Sequence, residues 1–395
     1  MSTVDSDQTA TPLAESNGHR SYSSIPDLKE SKSKKKKRTW LGDFQQQTFH
    51  SWRPIYTAQT VSLALFVFGI IFIPVGAYLL VLSERVQEIQ IPYEDCSNTL
   101  QGEDFNRSCA EVINSTEIAL IKSCKCRLAF NVSQEMKGTV YVYYALTNFF
   151  QNHRLYLPSR DNSQLKGDWG TVEKPNNPSR ECRPYVREDL EEGSNQTEGR
   201  IYLPCGAIAN SMFSDQINVL YKQPGQTIEV PLNRTGISWK TDQEHKFGNP
   251  EWFSETNFSD PEVRKKFAKP PAWRKSLWEL DPENPDNNGM NNEDFIVWMR
   301  VAALPNFRKL FRILNRYSPE RPEFADGMPL GEYTLEIDYA FPVTGFGGTK
   351  SIIFTTQSSL GLPNRFLGAT VPHRLMMVER LYRLVKLIER RNICG

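Results

Sequence analysis

The sequence predicts a membrane protein with one N-terminal transmembrane helix and a mainly-β lumenal domain. Three observations carry that prediction. No charged residue lies between Arg53 and Glu84. All six Asn-x-Ser/Thr acceptors and a set of six cysteines come after that gap, and none precedes it. Beyond the gap, apolar and polar residues alternate in runs of strand length.

The charge-free run from Ile55 to Leu82 exceeds the roughly 20 apolar residues that a helix needs to cross a bilayer core. Pro74 and Gly76 are compatible with such a helix, because neighbours can satisfy the freed backbone groups. The boundary is set at residues 55–83. The run is too long, and starts too far from Met1, for a cleaved signal peptide. Lys32, Lys34, Lys35, Lys36, Lys37, Arg38 and Arg53 precede the span, whereas Glu84, Arg85, Glu88, Glu94 and Asp95 lie beyond it. Cationic flanks stay cytoplasmic. Residues 1–54 are therefore expected to form a cytosolic tail, disordered for want of large apolar residues. Its basic cluster sets topology and touches anionic lipid.

Residues 84–360 are expected to form the lumenal domain. Its acceptors are Asn106, Asn114, Asn131, Asn195, Asn233 and Asn257, while Pro178 excludes Asn177. Cys96, Cys109, Cys124, Cys126, Cys182 and Cys205 read as disulfides in an oxidising compartment. Six cysteines permit about 15 connectivities. Cys124 and Cys126 are too close for an easy mutual bridge, and Cys182 with Cys205 is the natural local pair. With five His and no Cys-x-x-Cys, a zinc site is not expected.

Tyr333–Phe341 alternates, with Tyr333, Leu335, Ile337, Tyr339 and Phe341 on one face, as a half-buried strand does. Thr139–Leu146 is β-branched and aromatic and reads as another strand. Ile201–Pro204 reads as a short edge strand. Phe295–Leu304 fits strand or helix. Residues 249–291 read as a long loop anchored by Trp252, Phe253, Trp273 and Trp278.

Lys and Arg total 47 and Asp and Glu 46, so the net charge of +1 supports no nucleic-acid partner. An anchored lumenal domain suits a carbohydrate-active enzyme or a solitary receptor. Asp-x-Asp occurs at Asp5 and Asp7, on the wrong side for lumenal sugar chemistry. Glu336 and Asp338 share a strand face, as solvent-facing acids commonly do. His153, with Ser159 and Asp161 nearby, invites a triad, but a hydrogen-bonded structural His is the better reading. Gly345–Gly348 lacks phosphate-loop spacing and reads as a turn. No catalytic residue, metal ligand or cofactor site is expected.

Longer segments carry a resemblance. Gly138–Tyr156 with Ser159–Gly167, Pro204–Phe213, Gly236-Ile-Ser-Trp239, Asn292–Pro305 with Phe307-Arg-Lys309, Phe341-Pro-Val343 and Phe346–Lys350 occur in the same order as in the cell-cycle-control protein fifty, or ligand-effect modulator, family. Trp52-Arg-Pro54 with Thr57 matches too. The resemblance runs from about Phe44 to Thr370.

It implies an accessory (beta) subunit of a type IV P-type ATPase, a phospholipid flippase. Such a subunit supports the ATPase's stability, exit from the endoplasmic reticulum and phosphorylation cycle, and so lipid asymmetry and vesicle traffic. It implies residence in the endoplasmic reticulum, Golgi or endosomes and plasma membrane. The implied fold is an antiparallel β-sandwich with loop extensions that covers the ATPase's exoplasmic loops. The implied bridges are Cys96–Cys126, Cys109–Cys124 and Cys182–Cys205. The Asn152-His-Arg154 segment becomes a structural or interface element.

Family members carry a second span after the Gly-Thr-Lys motif. Residues 361–395 depart from that pattern, and from Val371 to Arg391 a charge occurs every few residues, which a lone membrane helix does not tolerate. Met377, Val378, Leu381, Leu384, Val385 and Ile388 can form one apolar face, as in an interfacial helix. A frameshift, altered splicing or a gene-model error is the expected origin of this tail, and sequencing the 3′ end of the transcript decides it.

Overall fold

The computed structural model describes Phe44, Gln45, Gln47 and residues 57–114, 120, 122–189, 199–255, 261–358, 361, 363–366 and 369. The basic cluster, the Asp5/Asp7 pair, Asn195, Asn257 and the tail from residue 371 lie outside the described residues.

Helix α1, Ala58–Glu84, contains 27 residues and is about 40 Å long at 1.5 Å per residue. That exceeds a hydrocarbon core of about 30 Å. Leu63, Phe66, Ile70, Ile71, Ile73 and Tyr78 are exposed around it. A helix apolar on every side, and uncovered by protein, suits lipid rather than water.

Among the described residues, thirteen strands come after it. They are β1 (Glu88–Pro92), β2 (Cys124–Val132), β3 (Met136–Lys137), β4 (Tyr141–Leu146), β5 (Ile201–Tyr202), β6 (Gln216–Gln223), β7 (Gln226–Glu229), β8 (Leu232–Asn233), β9 (Phe267–Ala268), β10 (Phe307–Leu314), β11 (Gly327–Met328), β12 (Gly331–Tyr339) and β13 (Lys350–Thr355). One antiparallel sheet has the order β1-β13-β4-β10-β8, and a second has the order β2-β12-β6-β7. Strand β5 pairs in parallel with β9 on one side and bridges antiparallel to Arg187 on the other, so it is not the edge strand expected from Pro204, which lies past its two paired residues.

The alternating run forms β12, with Tyr333, Leu335, Ile337 and Tyr339 all buried. The β-branched run forms β4, burying Val142, Tyr144 and Leu146. Both sets enter one hydrophobic cluster with Ile352 and Phe354 of β13. Phe130 of β2 joins the sheets directly, stacking on Tyr333 at 5.3 Å and on Phe354 at 5.2 Å between ring centroids.

The ambiguous segment is helical. Helix α3, Glu293–Met299, starts where the Asn292 side chain accepts from Phe295 N. It ends where Lys309 Nζ donates to the carbonyls of Val297, Trp298 and Arg300 at 3.2, 2.5 and 2.9 Å. A cation on the last free carbonyls is a favourable helix stop. Helix α2, Ala207–Asn210, lies before it in the chain and packs against it. The long loop is anchored as its aromatics suggest: Trp252 Nε1 donates to Gly170 O, and Trp273 Nε1 to Ala209 O.

Register fixes two ends of the five-stranded sheet. Near the exit of α1, Thr356 N donates to Gln87 O and Gln87 N to Thr356 Oγ1. Thr355 pairs with Glu88 and with Tyr141 there. At the opposite end, Lys350 pairs with Leu146, and Leu146 with Phe307. Six residues of β4 separate the ends, roughly 20 Å at about 3.3 Å per residue. The loops at the far end hold most of the motifs singled out in the sequence.

Candidate functional site

The far end is built around Pro204–Phe213. Gly206 has φ of +98°, and a Cβ there would lie 2.3 Å from Ser159 O, so only glycine fits. Ser159 Oγ then accepts from Ala207 N at 2.9 Å. Trp298 Nε1 of α3 donates to Ile208 O at 2.7 Å, and Phe213 stacks on Tyr144 at 4.1 Å. Tyr156 and Ser211 share a hydrogen bond of 2.7 Å.

Glu293 ties a second pair of motifs together. Its carboxylate accepts from Gly236 N, Ile237 N and Ser238 N, each at 2.8 Å, and from Ser238 Oγ at 2.9 Å. Gly236, at φ of +79°, turns the backbone so that three successive N–H groups face one acid.

A third knot joins the sheets. Lys350 of β13 and Asp215, just before β6, meet at 2.6 Å with both side chains 0% exposed. Asp215 Oδ1 accepts from Ala340 N and Phe341 N at 2.6 Å, and Oδ2 accepts from Tyr93 Oη at 2.8 Å. Lys350 also donates to Phe341 O and lies 3.1 Å from the centre of the Tyr339 ring. Burial lowers the Lys350 pKa to about 8, against the opposing pull of Asp215. Burial also raises the Tyr93 phenol well above its usual value, and the Asp215 charge adds to that.

The residues considered for chemistry are otherwise engaged. His153 is exposed, and its Nδ1 accepts from Leu155 N at 3.4 Å. Asp161 caps the turn at Ser163 and Gln164 and accepts from Ser179 N, so the three form no relay. Glu336 pairs with Arg127 at 2.6 Å, and Asp338 with Arg274 at 3.3 Å. The sulfurs of Cys96, Cys109 and Cys126 crowd within 4.8 Å. They belong to bridges, however, and bridged sulfur is no thiolate ligand. The S–S contacts are Cys96–Cys126 at 1.99 Å, Cys109–Cys124 at 1.93 Å and Cys182–Cys205 at 2.03 Å. Of the acceptor asparagines, Asn106, Asn114, Asn131 and Asn233 are exposed. A cavity of 170 Å³ lies among Tyr144, Phe213, Trp273, Trp298 and Phe311, with Arg234 and Arg274 also on its wall.

Comparison with known proteins decides what this architecture is. The model of the LEM3 (ligand-effect modulator 3) family / CDC50 family matches residues 79–372. The chain belongs to that family. Its relatives include the Mus musculus "Cell cycle control protein 50A", 42% identical over 330 residues that make up 82% of each chain. The Homo sapiens "Cell cycle control protein 50B" is 38% identical over 82% of this chain and 86% of its own. The Saccharomyces cerevisiae "Phospholipid-transporting ATPase accessory subunit CRF1" is 32% identical over 82% of this chain and 78% of its own.

In this family member, the long motifs are a folding device. Asn292–Pro305 bonds to Pro204–Phe213 through Trp298 and to Gly236–Trp239 through Glu293, while Phe346–Lys350 is tied to Asn148 and Asp215. Sequence reasoning missed Asp215, Glu293 and the role of Lys350. One signal was available: Lys350 opens the strand Lys-Ser-Ile-Ile-Phe-Thr, whose every residue is buried. Among the residues that the hub leaves facing outward are the apolar Phe150, Leu155, Leu157 and Leu304, with Trp239 under the Arg300 guanidinium at 4.0 Å.

Proposed function

We propose that this protein is a non-catalytic accessory subunit of a type IV P-type ATPase that translocates phospholipids. In that role it supports the ATPase's exit from the endoplasmic reticulum, its stability and its activity in lipid asymmetry and vesicle traffic. The observation that carries the reading is the match along 82% of the chain to a protein named as a phospholipid-transporting ATPase accessory subunit. An exposed apolar helix joined to a β-rich domain supports it.

In this reading α1 lies beside the ATPase's membrane helices with its N-terminus in the cytosol. The two large sheets form a lumenal antiparallel sandwich. The three bridges staple its periphery, and the exposed sequons carry glycans. Engagement of Glu336 and Asp338 by arginines supports a binding role over sugar chemistry. The complex works in the endoplasmic reticulum, Golgi, endosomes and plasma membrane.

The test is affinity purification of the full chain in mild detergent, with mass spectrometry of the proteins that co-elute. A type IV P-type ATPase in stoichiometric amount is expected. Its absence, with both proteins folded and present in one membrane, refutes the proposal. A glycosidase-sensitive mass shift, lost stepwise on Asn→Gln substitution at 106, 114, 131 and 233, tests the orientation.

A further inference from the structure

We infer that the cavity between the two large sheets is a binding site for a small amphipathic anion, a single apolar ring that carries one negatively charged head group. The inference goes beyond the accessory-subunit reading and does not depend on it.

The cavity has a volume of 170 Å³. Its apolar walls are Tyr144 of β4, Phe311 of β10, Phe213 just before β6, Trp298 of α3 and Trp273 of the long loop. An apolar cavity of about 150 Å³ accepts benzene, whereas drug-sized ligands fill about 300–1,000 Å³. One ring therefore fits, and the long acyl chain of a phospholipid does not. The walls are also held open. Trp273 Nε1 is tied to Ala209 O and Trp298 Nε1 to Ile208 O, both at 2.7 Å, and Tyr144 lies flat on Phe213 at 4.1 Å. Side chains fixed in this way forfeit dispersion contacts on their empty side, and an occupant supplies them. Phe311 stands at 87° to both Tyr144 and Phe213, so ring faces and ring edges are both on offer to an aromatic guest. Rings in place before the guest arrives lower the ordering cost of binding.

Charge selects the head group. Asp215 faces Lys350, Asp338 faces Arg274, Asp294 faces Arg312 and Arg234, and Arg234 also reaches Asp281. Lys275 is exposed on the same wall and meets no carboxylate among the described residues. With Lys275 counted, five cations face four carboxylates, which leaves one positive charge unmatched. Ser214 also lines the cavity, and its hydroxyl has no hydrogen-bond partner among the described residues. An ammonium and a free hydroxyl donor together suit a carboxylate or a phosphate monoester, and such charge-assisted bonds are the stronger kind. A cationic ring would meet the excess charge with like charge, and a neutral one would leave it unused.

The experiment titrates the full chain in mild detergent at neutral pH with 3-(4-bromophenyl)propionate and follows tryptophan fluorescence. Bromine quenches an indole that it touches, and Trp273 and Trp298 are on the wall. Saturable quenching is expected. 2-(4-Bromophenyl)ethylammonium, the same ring with a cationic head, should bind at least about fivefold more weakly. Lys275→Glu should weaken the anion by about fivefold or more, and Lys275→Arg should bind it as wild type does. Ser214→Phe offers a ring from the wall itself and should abolish saturable quenching at an unchanged or higher melting temperature. Quenching that rises linearly, and equally in wild type and Ser214→Phe, reports only solution in the micelle and overturns the site. Equal binding of the ammonium probe, or unchanged binding of the anion by Lys275→Glu, overturns the anionic head group. If Ser214→Phe does not fold, the Lys275 variants and the ammonium probe still decide the outcome.

Discussion

Asp215→Asn exchanges one oxygen for an NH2 group at a contact where both charged side chains are 0% exposed. Oδ1 keeps its bonds from Ala340 N and Phe341 N. The new NH2 then faces two donors, Tyr93 Oη and Lys350 Nζ, where Oδ2 accepted from both. Turning the amide over only moves the conflict to the backbone donors. An uncompensated buried ammonium costs about 3–5 kcal/mol. The lost Tyr93 bond adds about 1 kcal/mol. The sum, about 4–6 kcal/mol, corresponds to a fall in Tm of roughly 10–20 °C for a domain of this size. Lys350→Met leaves the carboxylate with three donors and should cost less, about 2–3 kcal/mol. The double variant buries no charge, so its loss should fall short of the sum of the singles by at least about 2 kcal/mol.

The sign of the pH dependence is a further check. Burial already holds the Lys350 pKa at about 8, below its ordinary 10.5. Without Asp215 burial is opposed only by the smaller pull of Glu94, and the folded value drops further. Between that value and the unfolded one, the unfolded chain binds more protons, so stability rises with pH. Relative to wild type, whose own Lys350 titrates at about 8, Asp215→Asn should therefore recover part of its deficit as pH rises towards about 8, above which both chains gain alike. Melts of the full chain in detergent, monitored by tryptophan fluorescence, measure all of this. A loss in Asp215→Asn no larger than in Lys350→Met, or strict additivity, would refute the argument.

The same geometry sets outcomes at four other sites. Lys309→Met removes the donor to three carbonyls at the end of α3 and should cost about 2–3 kcal/mol by the same melts. Burial holds the Lys309 pKa well below its ordinary value, so its penalty in the wild-type chain eases as pH rises towards 10.5, which the melts across pH also report. Glu293→Ala strips four donors of their acceptor and should release the 236–238 turn, seen as faster amide exchange confined to that turn and α3. Gly206→Ala forces a Cβ against Ser159 O and should lower folded yield sharply, whereas Gly225→Ala, with open space around its Cβ, should cost far less. Cys109→Ser with Cys124→Ser opens a link across 15 residues and should cost about 3 kcal/mol, read from the shift in denaturant midpoint.

The sequence by itself determined whatever depends on period and composition. A run without charge becomes α1 because every side chain in it tolerates lipid. A period of two becomes β12 because one face must be buried. Pro204 suggested an edge for β5, but it lies past the two paired residues, and Arg187 bridges the side opposite β9. Phe295–Leu304 was not decided by its apolar content, which suits a strand or a helix equally. The tertiary structure decided it, through Asn292 at one end and Lys309 Nζ on the last carbonyls at the other. The hub at the far end was legible as motifs but not as contacts. Asp215 and Lys350 stand 135 residues apart, and Glu293 stands 57 from Gly236. Side chains that distant meet only once two sheets have packed, and no local pattern encodes which acid faces which amine. The same holds for the outward leucines. Leu155 and Leu304 read as ordinary apolar residues in the chain, and only the packing of three loops leaves them on the surface together.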